Sequence, residues 1–404
     1  VRPRLRSAYN ATYSAARYER YSAALAAALG CEAGFRLAET PVFFARELVE
    51  RCARAASEIV KHLATAALRE PLMRAVPERF RVGDGAAVDL PQFAVVDFGI
   101  ARDETGALVP RLVELQGFPS LLSFQVLQSD AWLAELATVA GVDPELSPFF
   151  GGLHRDAFLA LARRTLFGDA DPDETVLVDV APATQKTFCD FAATRVLFGI
   201  PACDPRELYV RDRRLHRRDA RGRERRVARL YNRIVGDDLV RPDLVLPFDL
   251  RDDLGVTWAP HPRWFWAWSK AALPYLDHPA APRTRVLSTF DRLPDGLTDS
   301  YVLKPLFSFA GAGVNVRPTA ADIAAIPERD RAGYCLQEKI AYDPALVTPE
   351  GDGVKIEIRV MLLRPDDEPE FVPATNLVRL SRGEMNGVDY NRDRTWVGSS
   401  VGLW

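Results

Sequence analysis

The chain has 404 residues, 48% of them hydrophobic, with 52 basic side chains against 55 acidic ones and a formal net charge of −3. That length corresponds to two or three domains and the apolar fraction supports a large core, so neither a disordered chain nor a whole-molecule polyanion binder fits. No apolar run reaches the roughly 18 residues of a membrane helix and no signal peptide is present, which leads us to expect a cytoplasmic protein with no membrane partner.

In chain order, residues 1–75 read as helical, with apolar residues at i, i+3 and i+4 over 18–29 and 42–67 and with Thr40 and Pro41 as the entry to the second helix. A strand pair is expected at 93–100 and 109–116, then a loop-rich stretch over 141–154 and an acidic turn at 169–174. From there the pattern alternates: strand 175–180, helix 185–198, strand 207–210 and a short strand at 243–246, as in an open α/β unit. The last third predicts a helix over 264–275, a strand over 301–304, a glycine loop, a short helix over 320–326, and strands near 333–338, 354–363 and 371–380. The fold class is therefore α/β (α+β), in three parts: 1–140, 141–262 and 263–404. Cys31, Cys52, Cys189, Cys203 and Cys335 are scattered without a CxxC pair, and the histidines lack zinc spacing, so no His/Cys metal site is expected.

Six of the 52 basic residues are lysine and the rest arginine, so each lysine becomes a candidate for work that arginine does badly. Three constellations carry chemistry. In the hairpin at 93–116, a two-residue turn at Thr105-Gly106 would set Asp97 directly opposite Glu114, with Gln116 on the same face as Glu114. Opposed like charges destabilise a sheet, and a divalent cation between them reverses the sign; these oxygens suit Mg²⁺, while a solvated hairpin face is the plainer reading. Next, Lys304 ends an apolar strand and is followed by a loop of small residues with Gly311 and Gly313, whose backbone could approach a phosphate. The third is Gln337-Glu338-Lys339-Ile340, followed by an alternating strand that sets Lys355, Glu357 and Arg359 on one face.

Together these pieces, in this order, resemble the ATP-grasp superfamily, and in particular its circularly permuted glutathionylspermidine synthase-like branch, where the acidic hairpin precedes the lysine strand. The resemblance implies a circularly permuted ATP-grasp fold, with a preATP-grasp-like α/β unit over 141–262 and a helical N-terminal segment that helps close the permuted domain. It implies ATP and Mg²⁺ as cofactors, with two metal ions, or Mn²⁺ in their place. Asp97, Glu114 and Gln116 would hold metal. Lys270 and Lys304, with Gly311 and Gly313, would meet phosphate; Gln337, Glu338 and Ile340 would line the adenine hinge, and Glu357 would take the ribose hydroxyls. Asn376 and Arg379 are candidates for the triphosphate end, and Arg359 or Arg379 for stabilising the transferred phosphoryl group. Two departures stand out: Gln116 replaces the usual Asn, and Val95 replaces an arginine often found two residues before the metal-binding Asp. These 404 residues hold the synthetase-like part and no cysteine amidase.

The implied activity is ATP-dependent ligation of a small-molecule or peptide carboxylate to an amine. The alternatives are a phosphotransferase on the same site, or a nucleotide-binding or RNA-contacting module without catalysis. Residues 211–229 hold ten arginines against three acids, and read as an exposed hairpin. No aromatic residue interrupts that run, so a nucleic-acid partner is not expected. Arg233, just beyond it, is a candidate substrate contact. Residues 398–402 spell GxSxG, but too few residues follow for the helix a nucleophile elbow needs, and we read it as chance. The cluster Trp264, Phe265, Trp266 and Trp268 reads as core.

Overall fold

The computed structural model describes residues 1–83, 90–142, 145–308, 311–383 and 394–404, and is organised around a six-stranded antiparallel sheet. Gly398–Ser400, Val372–Ser381, Gly353–Leu363, Phe93–Arg102 and Leu108–Gln116 lie side by side, and Leu346–Val347 pairs onto Gly353–Leu363. Alternation explains the central strand. Ile356, Ile358 and Val360 are fully buried in the hydrophobic core, and such a side chain contributes about 1.5–3 kcal/mol when buried. Glu357 and Arg359, between them, point to the other face. Helices Arg46–Leu63 and Leu122–Leu136 pack on this sheet.

The hairpin enters this sheet far from its sequence neighbours, pairing Asp97 with Arg359 on one side and with Glu114 on the other. Its turn differs from the expected two-residue form. Asp103 pairs with Ala107, Gly106 takes a φ of 84°, and the Asp103 carboxylate accepts from the Thr105 and Ala107 amides at 3.0 and 2.9 Å. That shifts the register by one, and an irregularity beside Asp97, where Val113 is left over, shifts it back.

At the N-terminus, Ser14 caps Ala15–Leu29 and Gly30 ends it in the left-handed region. The helix expected over 42–67 starts later, at Arg46. Thr40 accepts a hydrogen bond from Arg6 instead of capping, and Val42–Phe43 forms a parallel pair with Gly402–Leu403. The last residues are therefore strands on two partners, and the GxSxG string has no helix behind it.

A second sheet is wholly parallel, in the order Thr257–Ala259, Arg229–Asn232, Thr175–Val178, Ala202–Cys203. The expected strand at 243–246 is a loop, held by a turn from Leu244 to Arg241 and by Arg241 ion pairs to Asp238 and Asp243; Thr257–Ala259 takes its place. The arginine-rich segment forms Tyr209–Arg211, Arg214–Arg218 and Glu224–Val227, with Leu215 and Val227 buried beneath and Asp219 capping the turn.

A third sheet has Tyr334–Glu338 between Thr284–Val286 and Tyr301–Pro305. The helix expected over 264–275 is broken into Trp264–Ala267 and a tight turn at Lys270–Tyr275, because Ser269 caps the Ala271 amide and starts afresh. The aromatic cluster before it is buried as core. The cysteines are free, and no helix among the described residues is long and apolar enough to cross a membrane.

Candidate active site

The site forms where the third sheet meets the polar face of the central one. Lys304 lies at the end of Tyr301–Pro305 and is 7% exposed; its ammonium donates to the Val113 carbonyl at 2.9 Å. Lys270 is 4% exposed and donates to the Ser308 carbonyl at 2.5 Å. The break after Trp268 places it: the Trp268 carbonyl accepts from the Gly117 amide at 2.7 Å, and a Cβ on Gly117 would come within 2.8 Å of the Trp268 Cβ. The end of the hairpin thus abuts the start of the lysine turn. Burial holds both ammonium groups below the usual lysine range, while the field of Glu114 opposes this in each. Among the described residues neither has a carboxylate within 4 Å. Two buried cations so placed are an anion site by charge alone.

Opposite them runs a row of charge across the central sheet. Asp97 is fully buried and accepts from Arg359 at both oxygens, at 2.7 and 2.8 Å, while Arg379 bridges Asp97 and Glu357. These guanidiniums, despite the burial that opposes them, hold the Asp97 carboxyl below the usual carboxylate range. The register thus brings Asp97 and Glu114 together as the hairpin reading expected, but arginines balance the like charges. Both Asp97 oxygens are occupied, and among the described residues no three His, Cys, Asp or Glu side chains form a metal-holding group. As a set, Asp97, Glu114 and Gln116 do not fit a three-ligand magnesium cage in this arrangement. Glu114, whose Oε1 accepts from Gln116 at 3.2 Å, keeps the oxygens that suit a cation.

Other expected residues divide. Gly311 and Gly313 take φ of 77° and 71°, and residues after them return to pair with the lysine strand through Leu303 and Asn315; residues 309–310 lie outside the described chain. Gln337 is 2% exposed with an unpartnered side-chain nitrogen, a donor suited to a base edge. Glu338 and Ile340 follow it, more exposed, where the strand ends. Glu357 is not a free acceptor for ribose: besides Arg379, it accepts from the Tyr342 hydroxyl at 3.1 Å. Gly99 makes room for that ring, since a Cβ there would lie 2.5 Å from it. Asn376 does not join the site. It is fully buried and spends its amide on the Pro148 and Gly402 carbonyls and the Gly402 amide. Parity is the reason: on one strand, positions 376 and 379 face opposite sides.

Sequence reasoning missed part of the site. Glu114, Gln116, Arg359 and Arg379 open on a cavity of about 560 Å³ whose far wall is the loop over 179–187 with Arg233. Asp179 follows the strand Thr175–Val178 and Arg233 follows its neighbour Arg229–Asn232. These strands flank the point where the order of the parallel sheet reverses, the crevice in which α/β sheets bind ligands. The Asp190 carboxylate fixes Arg233 there while also accepting from the amides of Leu121, Ser123 and Phe124 at the start of Leu122–Leu136. The loop is anchored too: the Ala181 amide donates to Asp204 at 2.7 Å, and a Cβ on Gly34 would lie 2.3 Å from the Lys186 carbonyl oxygen. The signal available in the sequence was the acid directly after an apolar strand in an alternating α/β segment.

Neither a protein-family model nor a curated protein matches the chain. Among solved structures, a glutathione synthetase-like effector from Globodera pallida, in its apo form, matches with 14% identity and a TM-score of 0.58, over 90% of this chain and 94% of that one. At that identity the likeness is one of fold, and the fold of this chain is mixed α/β of the glutathione synthetase-like, ATP-grasp type.

Proposed function

We propose that the chain is an ATP-dependent carboxylate–amine ligase of the circularly permuted ATP-grasp kind. The observation that carries the reading is the pair of buried lysines, Lys270 and Lys304, with no carboxylate within 4 Å among the described residues and facing the Glu114 side of a cavity large enough for a second substrate. When bound, ATP would supply the phosphoryl group that turns a carboxylate into an acyl phosphate for an amine to displace. Lys270 and Lys304 neutralise phosphate oxygens, and the unpartnered side-chain nitrogen of Gln337 meets the base. Arg379, whose Nε is buried without a partner and which lines the cavity, is the cation best placed to offset charge on the transferred group; Arg359 holds Asp97 and so fixes the floor on which Arg379 rests. Glu114 and Gln116 are the residues that would hold Mg²⁺ arriving with the triphosphate. No side-chain nucleophile is needed, so positioning and electrostatics supply the rate.

The engagement of Asp97 by two arginines favours one second reading, a nucleotide-binding module without turnover. Products separate the readings. A screen of amino acids, peptides and polyamines in pairs, followed for ADP release and product mass, is expected to give ADP, phosphate and a condensed product. Lys304→Ala and Glu114→Ala are expected to abolish turnover while the chain stays folded. ATP binding without ADP release in any pair supports the non-catalytic module, and a stable phosphorylated acceptor means a phosphotransferase.

A further inference from the structure

Asp179 is the charged group of the cavity that the chemistry above leaves unused. It is 4% exposed, yet its carboxylate has one hydrogen bond, from the Val180 amide at 2.8 Å, and no cation within 4 Å among the described residues. The cations that line the cavity near it are committed elsewhere: Arg233 to Asp190, Arg36 to Glu39, Arg359 to Asp97, and Arg379 to Asp97 and Glu357. Lys186 is the exception. It sits on the same loop as Asp179, lines the same cavity, is exposed, and has no ion pair among the described residues. One unpaired anion inside and one unpaired cation near the surface match a ligand that carries both an ammonium and a carboxylate. A polyamine brings several positive charges and no negative one, and would find a single carboxylate among cations.

Resting on the ligase reading, we propose that the 179–187 loop is the acceptor subsite, that it takes an amino acid or short peptide as a zwitterion, and that Asp179 binds the ammonium and takes its proton. Burial supports this by pushing the Asp179 carboxyl up to about 7; Arg233 and the Val180 amide oppose the rise, and Asp238 and Asp204 add to it. The step balances. One ammonium proton passes to an Asp179 oxygen, and the freed nitrogen lone pair forms a C–N bond at the acyl carbon. The C–O bond to phosphate breaks, and phosphate leaves with that electron pair and with the second proton of the nitrogen.

The test is calorimetric titration of the whole chain with the common amino acids, diglycine and spermidine. Rates are then measured for the best binder against hydroxylamine, a neutral nucleophile near pH 7 that needs no proton removed before attack. Asp179→Asn keeps an oxygen for the Val180 amide, so folding is preserved. We expect at least one zwitterion to bind and spermidine not to. Asp179→Asn should weaken that binding about tenfold or more, and should lose at least about tenfold more rate with the amino acid than with hydroxylamine. Lys186→Ala should weaken the same zwitterion by about threefold. Spermidine binding in preference to every zwitterion, or unchanged affinity in Asp179→Asn, overturns the proposal. Zwitterion binding that depends on Asp179, with no hydroxamate from any screened acid and ATP, counts against the ligase reading and leaves the subsite standing.

Discussion

Arg359 grips Asp97 through both carboxylate oxygens, Nε to Oδ1 at 2.7 Å and Nη2 to Oδ2 at 2.8 Å, across neighbouring strands of the central sheet. Both side chains are almost wholly buried, so each makes the burial of the other tolerable. Removing one partner leaves an uncompensated charge, at a cost of about 3–5 kcal/mol. Arg359→Ala should lower the unfolding free energy in urea by an amount in that range, and the double variant Asp97→Ala with Arg359→Ala should lose clearly less than the two single losses added. Additive losses would mean that the two groups do not depend on each other.

Lys304 makes the opposite case, a buried cation with a carbonyl as its only hydrogen-bond partner. Lys304→Met keeps the length of the stem and removes the desolvated charge. Its stability in urea should match the parent within about 1 kcal/mol or exceed it, while ATP affinity by calorimetry should fall about tenfold or more. A large loss of stability with unchanged ATP affinity would make Lys304 structural.

Asp179 gives a pH signature. Its carboxyl is held up to about 7 in the folded chain against 3.8 for the ordinary group. Between those values the folded state binds more protons than the unfolded one, so this residue makes stability fall as pH rises through that window. The full shift would amount to on the order of 4 kcal/mol, and water in the cavity reduces it. Asp179→Asn should therefore flatten that part of the profile and gain roughly 1–3 kcal/mol over the parent at pH 8, with little difference at pH 4. Urea unfolding at both pH values checks this; equal slopes would mean that the carboxylate is already satisfied.

How much of this was legible in the sequence depends on whether local pattern or long-range pairing decides each residue. The hairpin, the lysine strand and the alternating strand at 353–363 follow from period-two patterning, and their residues reach one site. Opposition of Asp97 and Glu114 came out as expected through a different route, a longer turn offset by an irregularity at Val113 that no local rule foretells. What the carboxylates touch was not legible, because Arg359 reaches Asp97 only through strand pairing 262 residues apart. Glu357 looks like a free acceptor until Tyr342 folds over Gly99 and takes it. Asn376 could have been set aside by parity with Arg379.

The second half of the cavity was the larger omission. Asp179 is a single acid after a four-residue strand, and its meaning appears only when the parallel sheet places it beside Arg233 at the reversal of strand order. The strand Thr257–Ala259, which completes that sheet, is too short to stand out, and the apolar residues near 244–246 drew the reading away from it. The N-terminal strand at Val42–Phe43 was hidden for a related reason: its partner is at the other end of the chain.

The most direct measurement of the central claim follows an oxygen atom. With an acid and amine found by the product screen, the acid is labelled with ¹⁸O in its carboxylate and the released phosphate is analysed by mass. Ligation through an acyl phosphate predicts that one labelled oxygen moves into the phosphate for each amide formed, and that Lys304→Ala stops both. Unlabelled phosphate released alongside amide would contradict the account.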